Sequence, residues 1–143
     1  MSARARRAFP VNGVEVATPE FDILVIGGGS GGLVVAAGGS TLGAKVALVE
    51  KHKMGGDCLN FGCVPSKALI RSAKFLSHIK RAQEFGIRTA SADFSFKDVM
   101  DRVHRVIRTV EPHDSVERYS ALGVDVVQGE AKMTSPWSVD ITR

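Results

Sequence analysis

Apolar positions along this chain follow two different periods. Phe21-Asp22-Ile23-Leu24-Val25-Ile26 is a short, β-rich apolar run, which reads as a buried strand of a parallel sheet. A glycine-rich stretch follows, and a helix is expected after it. Ala44-Lys45-Val46-Ala47-Leu48-Val49-Glu50 returns to the strand pattern. A helix is then expected through Ala68, Leu69 and Ile70 to about Ala82. Phe96, Val99, Met100, Val103, Val106, Ile107 and Val110 recur at helical spacing and mark one apolar, core-packing face. Ser95 stands where it can cap that helix, with Asp98 three residues on as a capping-box partner. Pro112 should kink or restart the helix, because its ring leaves no N–H to donate. The pattern resumes through Val116, Tyr119 and Leu122, with Gly123 as C-cap. Val124-Asp125-Val126-Val127-Gln128 reads as a strand. Lys132–Met133 with Trp137–Ile141 reads as the start of an antiparallel meander around Ser135-Pro136. Strands alternating with helices make the chain α/β, with a parallel sheet, flanking helices and an antiparallel meander near the C-terminus. Residues 1–20 carry Arg4, Arg6, Arg7, Pro10 and Pro19 without periodicity and are expected to form a flexible leader to a domain over 21–143.

Composition narrows this picture only a little. The 143 residues suffice for one domain with a real core. Hydrophobic residues at 44% and charged residues at 24% are ordinary for a soluble globular protein. The net charge of +4 suits a phosphate-rich ligand, and a plain solvated surface explains it equally well. No apolar run approaches the ~18–20 residues of a membrane span. There is no internal repeat and no nucleic-acid motif.

The glycine stretch Gly27-Gly28-Gly29-Ser30-Gly31-Gly32 carries the first chemistry. Gly27, Gly29 and Gly32 fill the pattern G-x-G-x-x-G between a strand and a helix. The first glycine allows a tight turn, the second a close approach of backbone to a pyrophosphate, and the third the packing of helix on strand. The N–H groups of Ser30, Gly31 and Gly32 then face a phosphate from a helix N-terminus. Glu50 ends the next strand, 18 residues after Gly32. A carboxylate there accepts both hydroxyls of an adenosine ribose and repels a 2′-phosphate. The arrangement is a Rossmann-like dinucleotide site, a grammar that FAD and NAD share. Gly38-Gly39 within the expected helix cost ~1 kcal/mol each against alanine, and no function attaches to them.

The second chemistry lies in Met54-Gly55-Gly56-Asp57-Cys58-Leu59-Asn60-Phe61-Gly62-Cys63-Val64-Pro65-Ser66-Lys67, which holds both cysteines. On a regular helix, residues i and i+5 lie about 140° apart with Cα atoms roughly 8–9 Å apart. A disulfide needs Cα atoms within ~7 Å. Any bridge between Cys58 and Cys63 therefore requires a distorted turn, which Gly62 and Pro65 permit. A strained or exposed bridge is easily reduced and suits redox chemistry, and a helix N-terminus stabilises a thiolate. A structural bridge over so short a loop would constrain little. Zinc wants four ligands, and His52, His78, His104 and His113 do not pair at ligand spacing, so no metal site is expected. Spacing alone leaves the redox reading and the bland ones open. Thiols that cycle fit a reducing cytoplasm.

Gly-Gly-Asp-Cys-Leu-Asn-Phe-Gly-Cys-Val-Pro-Ser-Lys, residues 55–67, resembles the active-site signature of the flavin-dependent pyridine nucleotide–disulfide oxidoreductases, which include dihydrolipoamide dehydrogenase, mercuric reductase and glutathione reductase. The resemblance runs from residue 21 to about 142. Val-Pro-Ser-Lys is similar to the first two branches, since glutathione reductases usually carry a lysine where Ser66 stands. Asp57, where threonine is common, and Phe61, often smaller, depart from the pattern. The resemblance implies FAD as cofactor, with Lys51, Gly56 and Asp57 joining the glycine loop and Glu50 in holding it. It implies that Ala131 meets the adenine through its backbone and that Lys67 lies near the flavin N5. Arg71, Lys74, His78 and Arg81 share the Lys67 face and read most simply as a solvated surface. Cys58 would be the interchange thiol facing substrate, and Cys63 would be the thiolate facing the flavin.

Electrons would pass between NAD(P)H, FAD, the cysteine pair and a substrate. A small-molecule or lipoyl disulfide or dithiol fits the dihydrolipoamide dehydrogenase branch, and Hg(II) the mercuric reductase branch. A module that binds flavin without turnover is the reading from another class. Members of the family are about three times longer. The expectation is therefore that the NAD(P) domain and the dimerisation domain, which gives a His–Glu pair to the partner of a homodimer, lie outside these residues. On that expectation the chain alone does not turn over.

Overall fold

A computed structural model describes residues 6–11, 14–18 and 20–143. In chain order the elements are β1 (Arg6–Val11), β2 (Val14–Thr18), β3 (Ile23–Ile26), α1 (Ser30–Thr41), β4 (Val46–Glu50), α2 (Gly56–Asn60), α3 (Cys63–Lys80), α4 (Phe96–Val110), α5 (Val116–Ala121), β5 (Asp125–Gln128), β6 (Glu130–Ser135) and β7 (Ser138–Thr142). Short 3-10 turns cover Ala82–Phe85 and Glu111–Asp114. The chain divides into two compact units, one of Met1–Met54 with Asp114–Arg143 and one of Gly55–His113.

In the first unit β3, β4 and β5 form a parallel sheet in that order, Ile23 facing Val46 and Ala47 facing Asp125. Central β4 is buried at all five positions, as parallel strands covered on both faces are. Val25, Val46, Leu48 and Val124 form one core with Leu33 and Ala36 of α1 and Tyr119 of α5. Each large side chain buried there contributes about 1.5–3 kcal/mol.

Burial along β3 is not uniform, which corrects the expectation for Phe21–Ile26. Leu24 is 39% and Ile26 52% exposed. β3 pairs with β4 alone among the described strands, and strand alternation turns these two residues to the face away from α1.

Gly39 has a packing reason. A Cβ there would stand 2.9 Å from Ile23 Cδ1 and 3.1 Å from Val46 Cγ2, whereas one on Gly38 would meet nothing within 4 Å. A side chain at Gly39 would press on the ends of Ile23 and Val46, so α1 lies close to β3 and β4 there. Gly123, at φ 88°, turns the chain from α5 into β5, a left-handed position that glycine occupies without strain. β6 and β7 form the expected antiparallel pair, with Ala131 opposite Ile141 and Ser135 opposite Ser138.

The leader expected over residues 1–20 is corrected in part. β1 and β2 pair antiparallel, Val11 facing Val14. Residues 1–5, 12–13 and 19 lie outside the described ones.

The second unit is helical. The Arg102 guanidinium of α4 donates to the Ala68 carbonyl of α3 at 2.8 Å, and Val103 is fully buried. Ser95 caps α4 by accepting from the Asp98 N–H at 3.1 Å. Phe96, expected in the apolar face, is exposed because it opens the helix. The 3-10 turn over Glu111–Asp114 contains Pro112, and α5, in the first unit, starts with Ser115 accepting from the Arg118 N–H at 3.3 Å. Among the described residues no helix is long and apolar enough to cross a membrane.

Candidate functional site

The residues singled out above fall into two groups, one in each unit. In the first unit the turn after β3 begins at Gly27, whose φ of 101° suits only glycine. Its N–H donates to the Val49 carbonyl at 2.7 Å, tying the turn to β4. Gly29 is the N-cap of α1, and Ser30, Gly31 and Gly32 form its first turn. A Cβ on Gly32 would collide with the Gly27 carbonyl oxygen and crowd Val25 Cγ1 at 3.1 Å. The third glycine of the pattern is thus required by the packing of α1 on β3. Among the described residues no side chain caps α1 and no acid stands in its first turn. The early N–H groups of a helix lack intrahelical partners and carry partial positive charge. This end of α1 can therefore receive an anion.

Glu50 closes β4 and is only 8% exposed. Its Oε2 accepts the Gly28 N–H at 2.6 Å and its Oε1 the His52 N–H at 2.7 Å. Lys51 is largely exposed and forms a 3.9 Å ion pair with Glu130, a contact of little energetic weight at a surface. Lys51, Gln128, Gly129 and Arg143 line an open cleft of about 470 Å³. Ala131 is half-buried on β6. Gly28 was not among the expected site residues. The signal was an excess glycine, since G-x-G-x-x-G does not ask for one at that position.

In the second unit the helix is interrupted between the cysteines. Cys58 lies in α2 and Cys63 opens α3. The Asp57 carbonyl accepts from both Phe61 N–H, at 2.9 Å, and Gly62 N–H, at 2.6 Å. A Cβ on Gly62 would stand 3.1 Å from that same oxygen. The Gly62 carbonyl then accepts from Ser66 N–H at 3.0 Å and starts α3. Pro65 sits in the first turn of α3, where its missing N–H has no intrahelical partner to lose. This is a distorted turn of the kind that a bridge between the two cysteines would need.

Both cysteines are free thiols, Cys58 half-buried and Cys63 exposed. The hydrogen bond between the two side chains pushes the Cys58 thiol up from its ordinary value, and burial and the charge on Cys63 push the same way. The Cys63 backbone and the Lys67 ammonium pull it down. Gly56 begins α2 half-buried, while Asp57 and Lys67 are exposed.

The fold is similar to that of the HOCl-induced flavoprotein disulfide reductase RclA from Escherichia coli in its Cu(II) complex, with a TM-score of 0.66, 24% identity, and coverage of 84% of this chain and 24% of that one. Among curated proteins, the dihydrolipoyl dehydrogenase of Bacillus subtilis is 46% identical over 62% of this chain and 19% of its own length. That of Rhizobium etli is 38% identical over 83% of this chain and 25% of its own, and that of Chlorobaculum parvum 36% identical over 90% and 27%. The chain thus spans about a fifth to a quarter of the length of these relatives. Residues 21–140 match the family model described as pyridine nucleotide-disulphide oxidoreductase. The residues that carry the glycine turn, Glu50 and the two thiols all lie within that match, and the chain belongs to the pyridine nucleotide-disulphide oxidoreductase family.

Proposed function

We propose that this chain is the N-terminal FAD-binding portion of a dithiol/disulfide oxidoreductase whose substrate is a lipoyl or small-molecule dithiol. The observation that carries the reading is the pair of free thiols facing each other across the broken helix, with Lys67 acting on Cys58. In the direction of disulfide reduction, the Cys58 thiolate attacks one sulfur of the substrate disulfide and the other sulfur leaves as a thiol. Cys63 then attacks Cys58, releases the second substrate thiol and leaves the Cys58–Cys63 disulfide. Two electrons have passed from the cysteines to the substrate. Dithiol oxidation is the same sequence reversed.

FAD supplies the two-electron link between the cysteine pair and NAD(P)H. The protein's part is to bind it and tune its charge. The donors present fit such a group: N–H groups at an uncapped helix N-terminus for the pyrophosphate, and a strand-end carboxylate for ribose hydroxyls. Lys51, Gly56, Asp57 and the Ala131 backbone complete the proposed contacts. Lys67 supplies positive charge near the reduced group. The relatives' name, dihydrolipoyl dehydrogenase, favours a lipoyl substrate over Hg(II). A homodimer in the cytoplasm, with NAD(P) bound by a further domain, completes the proposal.

The test is the visible absorbance of each single variant in the full-length enzyme with FAD bound. Cys58→Ser should show a long-wavelength band without reductant, because Cys63 is left as a thiolate beside oxidised flavin. Cys63→Ser should lack it. Bands in the opposite variants reverse the two roles, and no band in either refutes a thiol pair that touches flavin.

A further inference from the structure

We infer that Glu50 is a positioning residue, a clamp that holds the glycine turn in shape through the chain's own backbone before any ligand is present. Its use rests on the dinucleotide reading above; its existence does not.

The turn is pinned at two successive residues. Gly27 N–H donates to the Val49 main-chain carbonyl at 2.7 Å, and Gly28 N–H to Glu50 Oε2 at 2.6 Å. The second pin is a side chain reaching across 22 residues of sequence. The other oxygen, Oε1, takes His52 N–H at 2.7 Å, so one carboxylate joins the turn after β3 to the turn after β4. Hydrogen bonds to an ionised acceptor are roughly twice as strong as neutral ones. Glu50 is 8% exposed, so water competes little for these donors. The main-chain carbonyl of Glu50 separately accepts from Gly129 N–H at 3.0 Å.

Glu50 and Met54 together crowd the position of Gly28, a glycine that the phosphate-loop pattern leaves unexplained. A Cβ on Gly28 would stand 3.3 Å from Glu50 Cβ and Oε2 and 2.9 Å from Met54 Sδ. The carboxylate approaches the turn where a side chain would otherwise sit. Each carboxylate oxygen keeps a second lone pair. A ligand hydroxyl would therefore add to the clamp without displacing it. Losing Glu50 would remove a ligand contact and also release the turn that leads into Ser30, Gly31 and Gly32.

Amide hydrogen exchange on the 143-residue chain without cofactor separates these effects. In Glu50→Ala, the Gly28 and His52 amides should exchange about tenfold faster or more. Gly27 and Gly129, held by main-chain carbonyls, should keep their protection. In Glu50→Gln, which has one acceptor oxygen, only one of the two amides should be released. This milder variant serves where the alanine variant does not fold. Unchanged Gly28 and His52 amides in both variants would overturn the clamp. So would equal acceleration of Gly27 and Gly129, which is general loosening. FAD titration of the wild type is a separate readout: failure to bind FAD would refute the dinucleotide reading and leave the exchange result standing.

Discussion

Cys58 is held between opposing influences, and both can be tested one side chain at a time. The Cys63 side chain pushes its thiol up, chiefly by hydrogen bonding, and the Lys67 ammonium pulls it down. Cys63→Ala should move the midpoint of Cys58 ionisation to lower pH, so that alkylation by iodoacetamide turns on earlier as pH rises. Lys67→Met should move it to higher pH. The check is the pH profile of the alkylation rate in each variant. A Cys58 midpoint that does not fall when Cys63 is removed would show that the two thiols do not interact. The same thiols illustrate how residue type and geometry divide the information. Spacing said that a bridge between them would need a distorted turn, which Gly62 and Pro65 permit, and the bifurcated acceptance at the Asp57 carbonyl is such a distortion. The upward push on the Cys58 thiol comes from a side-chain hydrogen bond that no spacing contains.

At the scale of elements, α1 offers a paired comparison between neighbouring glycines. Gly38 faces open space, so Gly38→Ala should stabilise by ~0.5–1 kcal/mol through helix propensity. Gly39 faces Ile23 and Val46, so Gly39→Ala should destabilise by about 1–3 kcal/mol through overpacking. Urea denaturation midpoints read both. Equal effects of one sign would mean that α1 does not press on the sheet at Gly39. From sequence alone the two glycines were indistinguishable, because propensity is local and the contact with β3 and β4 is not. The strands from β3 onward, the main helices, the Ser95 cap and the strand–turn–helix around Gly27–Gly32 were legible, since each is a local period or a local hydrogen bond. Four features were not. The pairing of β1 with β2 lay in a stretch read as a leader. The uneven burial of β3 depends on its place at the sheet edge. The Ser115 cap was hidden behind Pro112. The Glu50–Gly28 bond joins residues 22 apart, and the ribose role expected for Glu50 gave no hint of a partner inside the chain.

At the scale of the whole molecule, one face of the sheet is exposed at β3, where parallel sheets are ordinarily covered. Parallel sheets occur almost only with both faces buried. Yet Leu24 and Ile26 are 39% and 52% exposed on β3, while Ala47 and Val49 beside them on the same face are buried. The outer edge of β3 also presents backbone donors and acceptors that pair with no other described strand. The chain spans 19% to 28% of the length of its curated relatives, so the bare corner has an ordinary physical consequence for these residues taken by themselves. An apolar strand at an open edge recruits further strands, and natural proteins guard such edges with lysine. Leu24→Lys should therefore lower self-association of the 143-residue chain, read as a smaller scattering mass at matched concentration. It should leave the helical circular dichroism unchanged, because Leu24 points away from the α1 core. In a polypeptide of the relatives' length the same substitution should instead lower the thermal midpoint, since a lysine would be placed under whatever covers β3. Opposite signs in the two lengths would identify this corner as a surface made to be covered. A neutral substitution in both would show that the exposed pair is merely surface.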